Sequence, residues 1–179
     1  YEAGSKEFGK ILAEQGFNLV YGGANIGLMK VVADEVLAGG KEVYGVMPNF
    51  LADKEIAHEG ITKMHLVESM AERKQVMAEI SDAFVILPGG VGTMDEFFEA
   101  LSWNQLRIMN KPIAILNLIG FFDHLVSFLD HALEEKFLRR EHRMNLIVEE
   151  KPRPLFEKLK DFKFVEPVEW VERLKIKGY

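Results

Sequence analysis

A doubly wound α/β domain, with a parallel sheet between two layers of helices, is the fold class that the 179-residue sequence predicts. Short apolar runs alternate with helical patterns along the whole chain, and several runs are apolar at nearly every position. Glycine-rich turns stand between runs and helices. A strand covered on both faces needs apolar residues on both, which is the pattern of a parallel sheet. Uninterrupted alternation supplies the helical crossovers that parallel pairing requires.

The expected strands are Phe17–Tyr21, Val43–Met47, Met64–Val67, Ala83–Leu87, Ile113–Asn117 and Leu146–Val148. The expected helices are Ser5–Gln15, Ile26–Ala38, Ser69–Ser81, Thr93–Met109, Phe121–Glu135 and Pro154–Lys160. Gly16 and the pair Gly39–Gly40 stand where helix C-caps belong. No strand precedes the first helix, although such a unit normally opens with one in mid-sheet. The expectation is a single three-layer domain over residues 1–179 whose first strand is missing from this sequence. Pro167–Tyr179 is expected to form a tail, with Trp170, Val171 and Leu174 on a short amphipathic pattern.

Hydrophobic residues make up 48% of the chain and charged residues 28%, as in a globular protein. No apolar stretch approaches the ~20 residues of a membrane span, and no secretion leader is visible. Cysteine is absent, which excludes a disulfide framework and a thiolate nucleophile or metal site, and agrees with a cytoplasmic location. With a net charge of −6 and no basic cluster interleaved with aromatics, nucleic acid is not an expected partner. The basic stretch Lys136–Arg143 is expected to be a solvated loop. The five histidines show no metal-ligand spacing, so no metal site is expected.

Two glycine-rich turns are expected to lie at carboxyl ends of parallel strands, where open α/β sheets bind ligands. One is Tyr21-Gly22-Gly23-Ala24-Asn25-Ile26-Gly27-Leu28-Met29, the other Leu87-Pro88-Gly89-Gly90-Val91-Gly92-Thr93-Met94-Asp95-Glu96. Glycines let the backbone approach a ligand, and the following helix N-terminus favours phosphate. Neither turn has the nucleoside-triphosphate pattern G-x-x-x-x-G-K-[ST] or the dinucleotide pattern G-x-G-x-x-G with its distant acid. A monophosphate is the better match.

Glu96 has two readings. Thr93-x-x-Glu96 is a capping box, with Thr93 as cap and Glu96 at the third helical position. Alternatively, the carboxylate stands beside the glycine turn for catalysis. Arg73 lies on the face of its helix that carries Met70, Met77 and Ile80. It is either a boundary residue with a snorkelling stem or a guanidinium held against a carboxylate or phosphate. Met29, Met70, Met77, Met94 and Met109 are expected to line the core or a pocket.

Together, Pro88-Gly89-Gly90-x-Gly92-Thr93-x-x-Glu96, Met70-x-x-Arg73-Lys74, and Tyr21-Gly22-Gly23 with Gly27-Leu28-Met29 resemble the LOG family. These are cytokinin riboside 5′-monophosphate phosphoribohydrolases, once labelled possible lysine decarboxylases. The resemblance implies a Rossmann-like fold, a homodimer or larger homo-oligomer, no cofactor, and hydrolysis of an N6-substituted AMP to base and ribose 5-phosphate. It assigns catalysis to Arg73 and Glu96. It places substrate contacts on Lys74, Gly89, Gly90, Val91, Gly92, Thr93 and Glu55, with Met70 and Asp95 from the same motifs and Gly22 and Gly23 from the first turn.

Lys30, Met109 and Asp95 depart from the family's usual glycine, histidine and, in plants, glutamate. The family's opening strand and Gly-Ser-Ser turn are absent. One rival function is non-catalytic carriage of a phosphate-bearing ligand such as molybdenum cofactor, which needs no Arg–Glu pair. Decarboxylation would instead require pyridoxal phosphate on a lysine, and no lysine stands in a suitable setting.

Overall fold

The computed structural model describes residues 1–52 and 57–166. Glu55 and the expected tail, Pro167–Tyr179, lie outside the described residues. The elements in order are α1 (Glu2–Glu14), β1 (Leu19–Tyr21), α2 (Gly27–Ala38), β2 (Val43–Pro48), α3 (Asn49–Ala52), β3 (Lys63–Val67), α4 (Met70–Ile80), β4 (Phe84–Ile86), α5 (Val91–Gln105), β5 (Ile113–Leu116), α6 (Asp123–Glu134), α7 (Arg140–Met144), β6 (Leu146–Glu149) and α8 (Pro152–Lys160).

All pairing between these strands is parallel, as expected. The single expected sheet is instead divided into two three-stranded sheets, ordered β1-β2-β3 and β4-β5-β6. β1 and β4 each leave one edge without a strand partner among the described residues.

Both faces of β5 are covered. Ala114 and Leu116 join Phe8 and Leu12 of α1, Val32 and Val36 of α2, and Leu155 of α8. Ile113 and Ile115 point the other way, to Phe97 and Ala100 of α5 and Leu129 of α6. Period-two alternation thus builds two cores on one strand. Tyr21 of β1 and Val43 of β2 belong to the first core, so that core spans both sheets.

Glycines end the first two helices as expected. Gly16 has φ +87° and its N–H donates to Ala13 O, while Phe17 N–H donates to Leu12 O. Gly40, with φ +72°, and Lys41 repeat this Schellman pattern on α2. Ser69 is the N-cap of α4, accepting from Glu72 N–H at 3.1 Å. At the other end of α4, Ser81 is already extended, and the Lys111 ammonium takes up the open carbonyls. It donates to Ala78 O at 2.6 Å and Ser81 O at 2.5 Å. Asn104 of α5 holds the Lys111 backbone by a reciprocal pair of hydrogen bonds at 2.8 and 3.2 Å. This tie fixes α4 relative to α5.

Two local expectations are corrected. The basic stretch expected as a solvated loop ends in the short helix α7, where Arg143 Nε donates to Asp130 Oδ1 of α6 at 2.6 Å. On α4, Met70 and Ile80 are exposed, and the buried side turns through Arg73, Lys74, Met77 and Ala78. Among the described residues no helix is long and apolar enough to cross a membrane.

Candidate active site

The α5 N-terminus overturns the capping-box reading of Thr93 and Glu96. The helix begins at Val91 with Gly90 as N-cap, so Thr93 is the third helical residue and Glu96 the sixth. No side chain caps this end. A Cβ on Gly89 would overlap the Thr93 side chain, so a glycine there lets the turn fold onto the helix. Around Gly90 and Gly92 there is open space, and Val91 is 87% exposed. The first-turn N–H groups therefore face outward at the positive end of a 15-residue helix.

The turn after β1 is built in a related way. Gly23 has φ +83°, and its place beside Met64 Sδ and Gly45 leaves no room for a side chain. Gly27 opens α2 with φ +56°, and its N-cap Ile26 makes no side-chain capping bond. A Cβ on Gly22 would overlap Arg73 Nη2. This turn is therefore one wall of the space that the guanidinium occupies.

Arg73 joins the two turns. Its Nε donates to Val46 O of β2 at 3.1 Å, its Nη1 lies 3.9 Å from Met70 Sδ, and its Nη2 forms an ion pair with Glu96 Oε1 at 3.5 Å. The side chain of Arg73 is 15% exposed and that of Glu96 33%. Arginine is seldom so enclosed without a partner, and here it has the Val46 carbonyl and the Glu96 carboxylate. Of the two readings open in the sequence, the structure gives Arg73 the guanidinium held against a carboxylate.

Burial pushes the Glu96 carboxyl above the ordinary glutamate range. Arg73 is the strongest influence in the opposite direction, with Lys74 helping it, while Asp95 and Glu99 push the carboxyl further up. A carboxyl balanced in this way is suited to exchanging a proton.

Lys74 Nζ lies 3.1 Å from both Asp95 Oδ2 and Glu99 Oε2. These partners raise its pKa, the Asp95 hydrogen bond most. Consecutive residues of α4 thus grip α5 twice, through Arg73–Glu96 and through Lys74–Asp95/Glu99. Gly22, Met70, Arg73, Lys74, Asp95 and Glu96 form one connected cluster. Gly23 adjoins it through Gly22, and Gly89 to Thr93 form the turn, N-cap and first residues of α5, within about two helical turns of Glu96. Met29, whose Sδ is near Gly22, lies on the rim and is 40% exposed. His58, Asp34 and Glu99 also bear on this region. They had no signal in the sequence, because their partners are supplied only by the fold.

The model of the family described as "Possible lysine decarboxylase" matches residues 29–159. The chain is 42% identical over 162 residues to cytokinin riboside 5′-monophosphate phosphoribohydrolase LOG of Oryza sativa subsp. japonica, covering 90% of this chain and 67% of that protein. It is 45% identical over 141 residues to the cytokinin riboside 5′-monophosphate phosphoribohydrolase of Rhodococcoides fascians, covering 78% and 71%. Its fold is similar to that of the molybdenum cofactor binding protein of Rippkaea orientalis, with a TM-score of 0.65 at 18% identity over 89% of this chain and 86% of that one. The molybdenum cofactor carrier protein of Chlamydomonas reinhardtii gives a TM-score of 0.65 at 20% identity, covering 89% and 86%. With glycine turns, Arg73 and Glu96 gathered at one edge, and the family model matched over residues 29–159, the chain belongs to the LOG family, the possible lysine decarboxylases.

Proposed function

We propose that the protein hydrolyses the N-glycosidic bond of a nucleoside 5′-monophosphate, AMP or an N6-substituted AMP, releasing the free base and ribose 5-phosphate. The observation that carries this reading is the Arg73–Glu96 pair, half-enclosed beside an uncapped helix end. A carrier needs phosphate contacts but no carboxylate tuned by a guanidinium. Relatives named for this hydrolysis at 42–45% identity support the same assignment.

The glycine turns hold the 5′-phosphate through backbone N–H groups and the positive end of α5. Binding energy from that remote group positions the scissile bond. As the bond from C1′ to the base nitrogen lengthens, its electron pair leaves with the base and positive charge grows on the ribose. The Glu96 carboxylate stabilises that charge and accepts a proton from the attacking water, whose oxygen bonds to C1′. The proton then passes to the departing base or to solvent. Arg73 keeps Glu96 in register and holds a ribose or phosphate oxygen. Lys74 fixes α4 to α5 through its two carboxylates. Met29 and Met70 offer an adaptable apolar rim for the base.

Incubation of the protein with AMP and with N6-isopentenyl-AMP tests the activity. The expected result is free base and ribose 5-phosphate in equal amounts. Tight retention of nucleotide without product would favour the carrier. Loss of the phosphate removes charge-assisted hydrogen bonds, each worth about 1.5–3 kcal/mol. Adenosine should therefore bind at least about tenfold more weakly than AMP in calorimetry, and equal binding would refute the phosphate role of the turns.

We also propose a homodimer built on α4 and α5. Phe97 is fully buried and belongs to the core, and Trp103 is half-buried, so neither is available in full to a partner. Met70, Ile80, Phe98 and Leu106 remain exposed on these helices or just beyond α5. A second copy would cover them and close the open end of α5. Light scattering at micromolar concentration should give twice the chain mass, and a monomer would count against the assembly.

A further inference from the structure

We propose that His58 is a positioning residue, whose backbone and ring clamp the Gly22–Gly23 turn to α2 and so keep Arg73 within reach of Glu96. His58 lies just before β3 and is 8% exposed. Its backbone N–H donates to Gly23 O at 3.0 Å, next to an antiparallel bridge between Ala24 and Ala57. Its ring reaches α2, where Nε2 and Asp34 Oδ1 are 3.0 Å apart. The Gly60 N–H donates to Nδ1 at 3.3 Å, so Nδ1 carries the lone pair and Nε2 the hydrogen given to Asp34. Both ring nitrogens are therefore committed to holding the fold.

The turn needs such a clamp. Gly22–Ile26 lies between β1 and α2, and the N-cap of α2 makes no side-chain bond to steady it. Its glycines impose little stiffness of their own. Yet Gly22 forms the wall against Arg73 Nη2, so movement of the turn is movement of the space the guanidinium fills. His58 meets the turn through its backbone and the helix after the turn through its ring. Asp34 is the anchor on α2, and its second oxygen is held by Lys30 at 2.6 Å. The bonds from Lys30 first and His58 second hold the Asp34 carboxyl below its ordinary range.

Asp34 is half-exposed on a helix surface, so Asp34→Ala removes the ring's anchor without opening the core. Hydrogen–deuterium exchange is expected to show faster exchange at Gly22–Asn25, with the thermal midpoint shifted by only a few degrees. Asp34→Asn, which keeps the acceptor, should restore near-wild-type exchange. Lys30→Ala, which removes only the surface ion pair, should leave exchange at the turn unchanged.

The effect on turnover rests on the activity proposed above, whereas the exchange measurement does not. In single-turnover assays Asp34→Ala should lower the rate roughly tenfold or more, since small misplacements of a catalytic group are costly. In an Arg73→Ala background the same change should add almost nothing, because the clamp acts through Arg73. Unchanged exchange at the turn, the same gain in Lys30→Ala, or equal fold losses in both backgrounds would each overturn the proposal. A wild-type protein that released no product, with faster exchange in Asp34→Ala, would leave the clamp standing and refute the activity instead.

Discussion

Glu96→Gln is expected to melt at or slightly above the wild-type temperature at neutral pH, while turnover falls at least about a hundredfold. The two outcomes have one cause. The carboxyl has its pKa raised in the folded protein, chiefly by burial. A raised folded-state pKa means that the protonated form is favoured by folding. Its stabilising contribution is present below the unfolded pKa and is lost as pH rises through the folded one. At neutral pH the ionised carboxylate is thus a cost to folding, and an uncharged isostere relieves it. No cap is lost, because Glu96 stands at the sixth residue of α5 and the N-cap is Gly90. What is lost is the charge that steadies the ribose cation and accepts the water proton. A melt several degrees lower, with turnover intact, would make Glu96 a structural residue. A differential scanning melt alongside single-turnover release of ribose 5-phosphate separates the cases.

Gly22→Ala is expected to fold and yet lose turnover by about a hundredfold. The added methyl would overlap Arg73 Nη2, the far end of a flexible side chain, so the backbone need not move. Gly22, unlike Gly23, has no positive φ, and alanine is compatible with its conformation. The guanidinium must give way, losing its 3.5 Å approach to Glu96. With Arg73 displaced, its downward pull on the Glu96 carboxyl weakens and the group rises further. Gly23→Ala should behave differently. There the added methyl meets Met64 Sδ at 2.8 Å at φ +83°, so stability suffers as well. Denaturant unfolding and turnover measured on both variants distinguish a displaced arginine from a damaged fold.

All six strands are legible in the sequence, most plainly β2 and β5, whose buried positions make near-continuous apolar runs, and least plainly β3, where Lys63 and Leu66 are exposed. Gly16 and Gly40 end their helices for a backbone reason, and such reasons survive without tertiary context. The N-cap of α5 is misjudged by three residues, since Thr93-x-x-Glu96 imitates a capping box while the true N-cap is Gly90, which has no side chain to advertise it. Division of the sheet is not visible in local patterning, because it depends on which strands are neighbours. Arg73 and Glu96 stand out through motif, but their meeting depends on the tie from Lys111 to α4 and Asn104. His58 shows no signal at all: its partner Asp34 is 24 residues away, with β2 and α3 between them, and only the fold brings them together. Lys74 is expected at the substrate, and its ammonium lies between Asp95 and Glu99.

The central claim is that ribose 5-phosphate release depends on the Glu96 carboxylate at this site. Its most direct test is the pH dependence of single-turnover release from AMP by the wild-type protein. The ionised form is the active one, so the rate should fall as pH drops, with a midpoint above the ordinary glutamate range because burial raises this carboxyl. In Glu96→Gln the residual rate should lose that acid limb. A wild-type rate that stays flat from neutral pH down through the ordinary glutamate range would contradict the assignment.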